Sequence, residues 1–288
     1  MKRKTTFFTL ERKRAMTGYL FALPWLLGFL LFMLYPFVTS FMLSIGEITD
    51  LEGLQMKFAG FGQYVSLIAG DAAVEFAPAL AITIWNTFIN VPLILVISLT
   101  VSLLVSRKLP GKGIFRLIFF LPVLLGAGYA MEQIGGAGNI LQVPENIFRY
   151  IRFYLNMEMA TFLEELLMQV IGLFWRSGVQ IVIFIGGIQA IPDTYYEAAM
   201  VDNANSWDAL WKITLPMLSP MIFLNLVYTV IDSFRSLDNP ITALIRDKTM
   251  RYNHYELGSA MGWLYFAVAF LFVGVVAIIF RRTVYYEK

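Results

Sequence analysis

Six apolar runs, each about 20 residues long and nearly free of charge, constrain this chain more than any other feature. They fall roughly at 18–45, 80–106, 114–131, 166–190, 217–237 and 257–280. The hydrocarbon core of a bilayer is ~30 Å thick and offers no water to bond, so a crossing segment must satisfy its backbone groups within its own helix, which takes about 20 residues. Composition agrees: 58% of residues are hydrophobic and only 15% charged, with a mean hydropathy of +0.68, where soluble domains carry about 25% charge. The expected fold is an all-α polytopic membrane protein with six transmembrane helices. A basic tail over 1–17 precedes a transmembrane domain over 18–288. The first run follows Lys2, Arg3, Lys4, Arg12, Lys13 and Arg14 in the manner of a signal peptide, but it is too long and no small-x-small site follows it, so it is expected to stay.

Orientation follows from lysine and arginine in the short flanking segments. In a six-span arrangement the N-terminal cluster, the group Arg107, Lys108, Lys112 and Arg116, and the final Arg281, Arg282 and Lys288 all share one side. Both termini are therefore expected in the cytoplasm, with the basic groups against the anionic lipids of the inner leaflet. The first outer loop is acidic, with Glu47, Asp50, Glu52, Asp71 and Glu75 around Lys57, and the second holds Arg149 and Arg152; Arg246, Lys248 and Arg251 in the third run against the trend. The net charge of +2 and the placement of basic residues at segment ends exclude a nucleic-acid partner. The absence of cysteine excludes disulfides and thiolate chemistry.

Pro24, Pro36, Pro92 and Pro122 lie inside spans and read as kinks. Between the third and fourth runs, Ile147, Phe148, Ile151, Tyr154 and Leu155 recur at helical spacing opposite Glu145, Arg149, Arg152 and Asn156, which predicts a surface or interfacial helix on the outer side. Glu164 and Glu165 are adjacent, point in different directions on a helix, and read as a solvated span boundary. His254, the single histidine, reads as a surface residue.

The long inner loop, 191–220, carries the most specific signal. Pro192 stops the fourth span, and Asp193 and Thr194 offer oxygens as helix caps. Glu197, Ala198, Ala199 and Met200 predict a short helix with a small-residue face. Asp202 and Asn203 predict a turn, because Asn tolerates the left-handed conformation that ends a helix. A second amphipathic helix through Trp207, Leu210, Trp211 and Ile213 leads to Pro216 and Pro220 at the mouth of the fifth span. The sequence Glu197-Ala198-Ala199-x-x-Asp202-Asn203-Ala204, followed by Ile213-x-Leu215-Pro216-x-Leu218-x-Pro220, resembles the EAA loop of binding-protein-dependent ABC importer permeases. The family pattern has Gly at Asn203 and Phe at Leu210. Asn is the next best residue for a positive φ, and Leu keeps an apolar knob.

The resemblance extends along the chain to the carbohydrate-uptake permeases of the maltose-transporter type. It is carried by Gly18-Tyr19-Leu20-Phe21 with Leu23-Pro24, Asn86-Thr87, Gly111-Lys112-Gly113 through Arg116 to Leu121-Pro122, Ile188-Gln189-Ala190-Ile191-Pro192, and Arg281-Arg282-x-Val284-Tyr285-Tyr286-Glu287. It implies a type I importer permease in the bacterial plasma membrane, paired with a second, homologous permease, two ATPase subunits and an extracytoplasmic solute-binding protein. It further implies that Glu197, Ala198, Ala199, Asp202, Asn203, Ala204, Leu215 and Pro216 engage the ATPase, which would bind ATP and Mg²⁺. This chain has no GxxxxGK[ST] phosphate loop and is expected to hold no cofactor and to be no enzyme.

A transporter of a polar solute needs polar groups within its bundle, where they are costly. Asn225, Thr229, Asp232, Ser233 and Ser236 recur at offsets of 0, 4, 7, 8 and 11 on one face of the fifth span, and Arg176 and Gln180 lie one turn apart in the fourth, on a single face. A sugar suits such a stripe, with Trp175, Tyr228 or Trp263 as aromatic platforms; alternatively, the stripe only holds helices together. A charge at the bilayer centre costs about 2.5–3.5 kcal/mol on insertion scales, so Arg176 or Arg235 is expected to pair with Asp232. Two other cargoes or classes compete: a glycerol-phosphate permease, and an ion-coupled carrier independent of ATP. The carrier should show broken helices or charged relays at matched positions in two halves, and no such symmetry is legible. An intramembrane enzyme would need paired acids, a Ser/His pair or a metal cluster within spans, and none is legible.

Overall fold

A computed structural model describes residues 10–50, 55–106 and 145–280. The predicted third span, 114–131, the motif from Gly111 to Pro122, and both basic ends over 1–9 and 281–288 lie outside the described residues. Five of the predicted runs are helical. They are met by α1 (Leu10–Phe29) and α2 (Tyr35–Ser44), by α4 (Ala73–Ser106), by the pair α6 (Met157–Arg176) and α7 (Gly178–Ala190), by α11 (Ser219–Arg235), and by α13 (Tyr255–Phe280). Among the described residues, Met16–Ser44, Ala73–Ser106 and Tyr255–Phe280 are each long and apolar enough to cross a bilayer alone, and the number rises to at most five if each of two bent helix pairs is one span.

Both bends have causes in the sequence. The fourth run, predicted as one helix, breaks at Ser177 and turns by 53°. Ser177 leaves helical geometry at φ −84°, ψ 2°, its Oγ donates to the Phe174 carbonyl at 2.8 Å, and Gly178 follows; Ser/Gly pairs are recurrent kink sites. Arg176 and Gln180 are therefore on separate helices across the break, which corrects the expectation that they share one face. The second pair, Ser206–Met217 and Ser219–Arg235, bends by 66° where Pro216 and Pro220 deprive the ladder of two donors.

Proline also explains two π-helical turns. Leu30–Leu34 joins α1 to α2 immediately before Tyr35-Pro36, and Leu210–Thr214 stands immediately before Leu215-Pro216. A proline ring collides with the carbonyl four residues back, and widening the ladder to i−5 bonds moves that carbonyl away. The Leu215 amide accordingly donates to the Leu210 carbonyl. Pro92 is accommodated inside α4 without such a turn.

The chain divides into two compact units, 1–80 with 240–268 and 81–239 with 269–288. The first contains the one departure from all-α structure among the described residues. Strands β1 (Gly46–Asp50) and β2 (Gln55–Phe58) form an antiparallel hairpin that places Glu47 opposite Lys57, and a register shift lies between Ile48 and Asp50. The Ile48 amide donates to Glu256 Oε1 at 2.9 Å, tying the hairpin to the start of α13. Beside it, α3 (Gly62–Ala69) and α12 (Pro240–Arg246) close a core of Leu67, Phe76, Ile241, Ala260 and Met261. Lys248, one of the basic residues that ran against the orientation trend, pairs with Glu75 at 2.8 Å. Trp263 packs edge-on against Phe37 and Phe41 at 4.6 and 5.0 Å between ring centres, so it is engaged in an aromatic cluster and is no open platform.

The second unit gathers the remainder of α4 with α6, α7 and α11. Ser102 Oγ lies 3.0 Å from the Ile181 carbonyl, and Gly187 sits so close to Met221 and Leu218 that a Cβ there would meet their side chains at 2.7 and 2.8 Å. The helix expected between the third and fourth runs is present as α5 (Glu145–Tyr154). Asn156 does not belong to its polar face: it caps α6, accepting the Met159 amide at 2.9 Å. Glu164 is also corrected from solvated to engaged, because its oxygens accept Nε and Nη2 of Arg152, both at 2.7 Å, with the Glu164 side chain only 14% exposed.

Candidate functional site

The loop at 191–220 folds as a helical hairpin whose two limbs are α8 (Asp193–Val201) and the segment α9 (Ser206–Ala209), π turn, α10 (Leu215–Met217). Pro192 itself occupies the N-cap position of α8 in extended geometry, without a side-chain cap bond. Asp193 and Thr194 are thus inside the helix and do not cap it, and the Asp193 charge falls in the first turn, where the helix dipole favours it. The far end closes as a Schellman motif: Asn203 has φ +54°, its amide donates to the Met200 carbonyl at 3.1 Å, and the Ala204 amide donates to the Ala199 carbonyl at 2.9 Å. The turn expected at Asp202 and Asn203 is therefore present, and Asn203 meets its backbone requirement.

Asn205 then caps the second limb, accepting the Asp208 amide at 2.8 Å. The two limbs are joined by Tyr196 Oη, 3.0 Å from Thr214 Oγ1, and Thr214 also donates to the Ala209 carbonyl at 3.2 Å. This bond was not read from the sequence; a tyrosine on the first limb and a buried threonine on the second are too common a pair to single out. Glu197, Ala198, Asp202 and Asn203 are exposed, Ala199, Ala204, Leu215 and Pro216 are half-buried, and Trp207 and Trp211 stack edge-on at 5.6 Å on the surface. Lys212 pairs with Asp208 at 2.8 Å, and its bond and charge hold that carboxyl below its usual pKa. The first limb of the hairpin thus carries an exposed carboxylate, Glu197, beside the small residues Ala198 and Ala199.

The polar stripe is brought together, but mostly by facing inward. Gln180 Nε2 donates to Thr229 Oγ1 at 3.1 Å, Thr229 Oγ1 donates to the Asn225 carbonyl at 2.6 Å, and Asn225 Nδ2 donates to the Gln180 carbonyl at 3.2 Å. This closed circuit locks α7 to α11, with all three side chains buried. Thr87 Oγ1 and Ser233 Oγ, 3.0 Å apart, add α4 to it, and Asn239 Nδ2 donates to the Ser233 carbonyl at 2.7 Å. Thr87 and Asn239 are members that the fifth-span periodicity could not reveal, because they come from other elements. Among the described residues, Gln180 Oε1 and Asn225 Oδ1 have no hydrogen-bond partner. Asp232 pairs locally with Arg235 at 3.4 Å, while Arg176 ends α6 half-buried and outside any ion pair among the described residues; Ser236 caps α11, half-buried. Tyr228 and Trp175 are half-buried, and His254 is exposed. Among the described residues no group of three or more His, Asp or Glu side chains is placed to hold a metal ion.

These features define a polytopic membrane protein with a helical hairpin between two of its apolar segments. No family model matches the chain. The chain is 30% identical to the probable ABC transporter permease protein YesP of Bacillus subtilis, over 96% of this chain and 94% of that one. It is 27% identical to the trehalose/maltose transport system permease protein MalF of Thermococcus litoralis, over 86% of each chain, and 26% identical to the arabinooligosaccharides transport system permease protein AraP of Bacillus subtilis, over 85% and 82%. A crystal structure of a bacterial ABC transporter involved in the import of the acidic polysaccharide alginate contains a chain of the same fold, with a TM-score of 0.69, 17% identity, and coverage of 94% of this chain and 97% of that one. The chain belongs to the ABC transporter permease family, in its carbohydrate-uptake group. It is accordingly an integral protein of the bacterial plasma membrane and a transport subunit, not an enzyme.

Proposed function

We propose that this chain is the membrane-spanning subunit of an ATP-driven importer that moves a sugar or oligosaccharide into the cell by alternating access. The observation that carries the reading is the hairpin at 193–217, which leaves Glu197 and Ala198 exposed on a helix closed at its C-terminus by a Schellman motif and tied to the second limb by Tyr196 and Thr214. Force passes through a lever only if the lever does not bend, and the Schellman closure with the Tyr196–Thr214 bond supplies that stiffness. In this reading both termini and the hairpin lie in the cytoplasm. Two ATPase subunits bind ATP with Mg²⁺; one grips the hairpin at Glu197, Ala198, Ala199, Asp202, Asn203 and Ala204, with Leu215 and Pro216 carrying its motion into α11. A second, homologous permease completes the pathway, and an extracytoplasmic solute-binding protein delivers the cargo. The names of the trehalose/maltose and arabinooligosaccharide relatives support a sugar. A related solved structure, the alginate transporter in complex with an alginate pentasaccharide-bound periplasmic protein, supports the binding-protein partner.

Within the bundle, Thr229 and Ser233 hold the closed arrangement through the bonds above. Arg176, Asp232 and Ser236, together with the side-chain oxygens Gln180 Oε1 and Asn225 Oδ1, are the groups offered to sugar hydroxyls when the helices part. The decisive experiment is Glu197→Lys in the reconstituted complex. ATP-dependent uptake should be lost while membrane insertion and subunit assembly persist; wild-type uptake would refute the lever.

A further inference from the structure

The hairpin's second limb carries a feature that a grip on Glu197 leaves unused. Trp207 and Trp211, one helical turn apart, are 66% and 55% exposed and stack on each other away from the body of their own unit. Thr214 on the same limb is buried and Leu210 and Ile213 are half-buried, so the limb is two-sided. Lys212, 75% exposed, extends beside the pair.

The geometry of the bend gives the pair its surroundings. Helix α11 has 17 residues, about 26 Å of rise, close to the ~30 Å hydrocarbon thickness. The limb before it, Ser206–Met217, is turned from it by 66°. With spanning helices tilted by about 20°, that limb stands roughly 45–85° from the bilayer normal, nearer the membrane plane than the normal. A limb in that attitude, ending where the span begins, lies at headgroup depth. Tryptophan is the residue enriched at that depth, since its ring is apolar and its N–H still finds water or ester oxygens, and a neighbouring lysine can reach a lipid phosphate.

We infer that the second limb is a lipid-anchored strut: Trp207 and Trp211 insert into the headgroup boundary of the bilayer, Lys212 meets an anionic headgroup, and the first limb is left free for a protein partner. The strut gives the hairpin a fixed fulcrum in the membrane. This rests on membership of a membrane-protein family and on the bend, not on which subunit holds Glu197, so it can fail while the ATPase reading stands.

The chain has no cysteine, so single thiols can be introduced cleanly. Trp207→Cys, Trp211→Cys and, as an aqueous reference, Asp202→Cys would be spin-labelled in the complete transporter in nanodiscs of phosphatidylethanolamine and phosphatidylglycerol. Oxygen collision should exceed nickel-chelate collision at 207 and 211, with the reverse at 202. Equal nickel access at all three positions would overturn the proposal, as would exclusion of both reagents from 207 and 211, which would mean that protein covers the pair. A second measurement keeps the native side chains: brominated lipids should quench part of the wild-type tryptophan emission, and Trp207→Phe with Trp211→Phe should remove a share of that quenching. An unchanged quenched share would also overturn it.

Discussion

Asn203 gives the hairpin model its most quantitative test. Its φ of +54° is a conformation that costs an ordinary L-residue about 1–2 kcal/mol, Gly essentially nothing, and Asn an intermediate amount. Two amide bonds depend on it directly, Asn203 to Met200 and Ala204 to Ala199. Asn203→Ala should therefore lower the free energy of opening the α8 terminus by about 1 kcal/mol, and Asn203→Val by about 2 because β-branching adds to the clash. At 1.4 kcal/mol per factor of ten, hydrogen-exchange protection of the Ala204 amide should fall about 5-fold in the first variant and about 30-fold in the second. Asn203→Gly should match or exceed wild-type protection. ATP-dependent uptake measured in proteoliposomes should follow the same order, since a frayed α8 transmits less of the ATPase stroke. If Asn203→Val kept both wild-type protection and wild-type uptake, the reasoning from left-handed strain to lever stiffness would be wrong.

Three further outcomes are expected. Thr229→Val leaves the buried Gln180 amide without its acceptor, which should cost about 1–3 kcal/mol and lower the melting temperature of the purified complex; Thr229→Ser should restore most of it. Gly187→Leu cannot fit against Met221 and Leu218 without parting α7 from α11, an overpacking cost of about 1–3 kcal/mol; Gly187→Ala should be milder because Met221 can yield, and limited proteolysis at the 191–220 hairpin would report the difference. Glu256→Ala removes the acceptor of the Ile48 amide, about 1.5–3 kcal/mol, and should free the β-hairpin, seen as faster exchange of the Ile48 amide with little change in the second unit.

What could be read beforehand divides along physical lines. The turn at Asn203 was legible because few residues tolerate a positive φ, and a short helix followed by Asp-Asn leaves little choice. The kink opening α11 was legible from Pro216 and Pro220 for the same kind of reason. Hydropathy, by contrast, is blind to direction: 166–190 is apolar throughout, and only the Ser177-Gly178 pair signalled the break that separates Arg176 from Gln180. The β-hairpin was hidden in a loop read by its charges, although the alternation around Ile48 and Met56 and the opposed Glu47 and Lys57 carried its signature. Of the stripe from Asn225 to Ser236, Asn225, Thr229 and Ser233 share the buried face of α11, whereas Asp232 pairs with Arg235 and Ser236 lies past the helix end. Which neighbours met it could not be read, because Thr87 and Gln180 reach it only through tertiary packing and Asn239 folds back from the turn after α11.

The central claim is that the first limb of the hairpin lies inside the cell in the grip of another subunit. Ala198→Cys, the sole thiol of the chain, treated with a membrane-impermeant maleimide, tests it directly. The account predicts labelling in inside-out vesicles stripped of the ATPase, protection when the ATPase is restored, and no labelling of intact cells. Labelling from the outer face, or labelling indifferent to the ATPase, would contradict it.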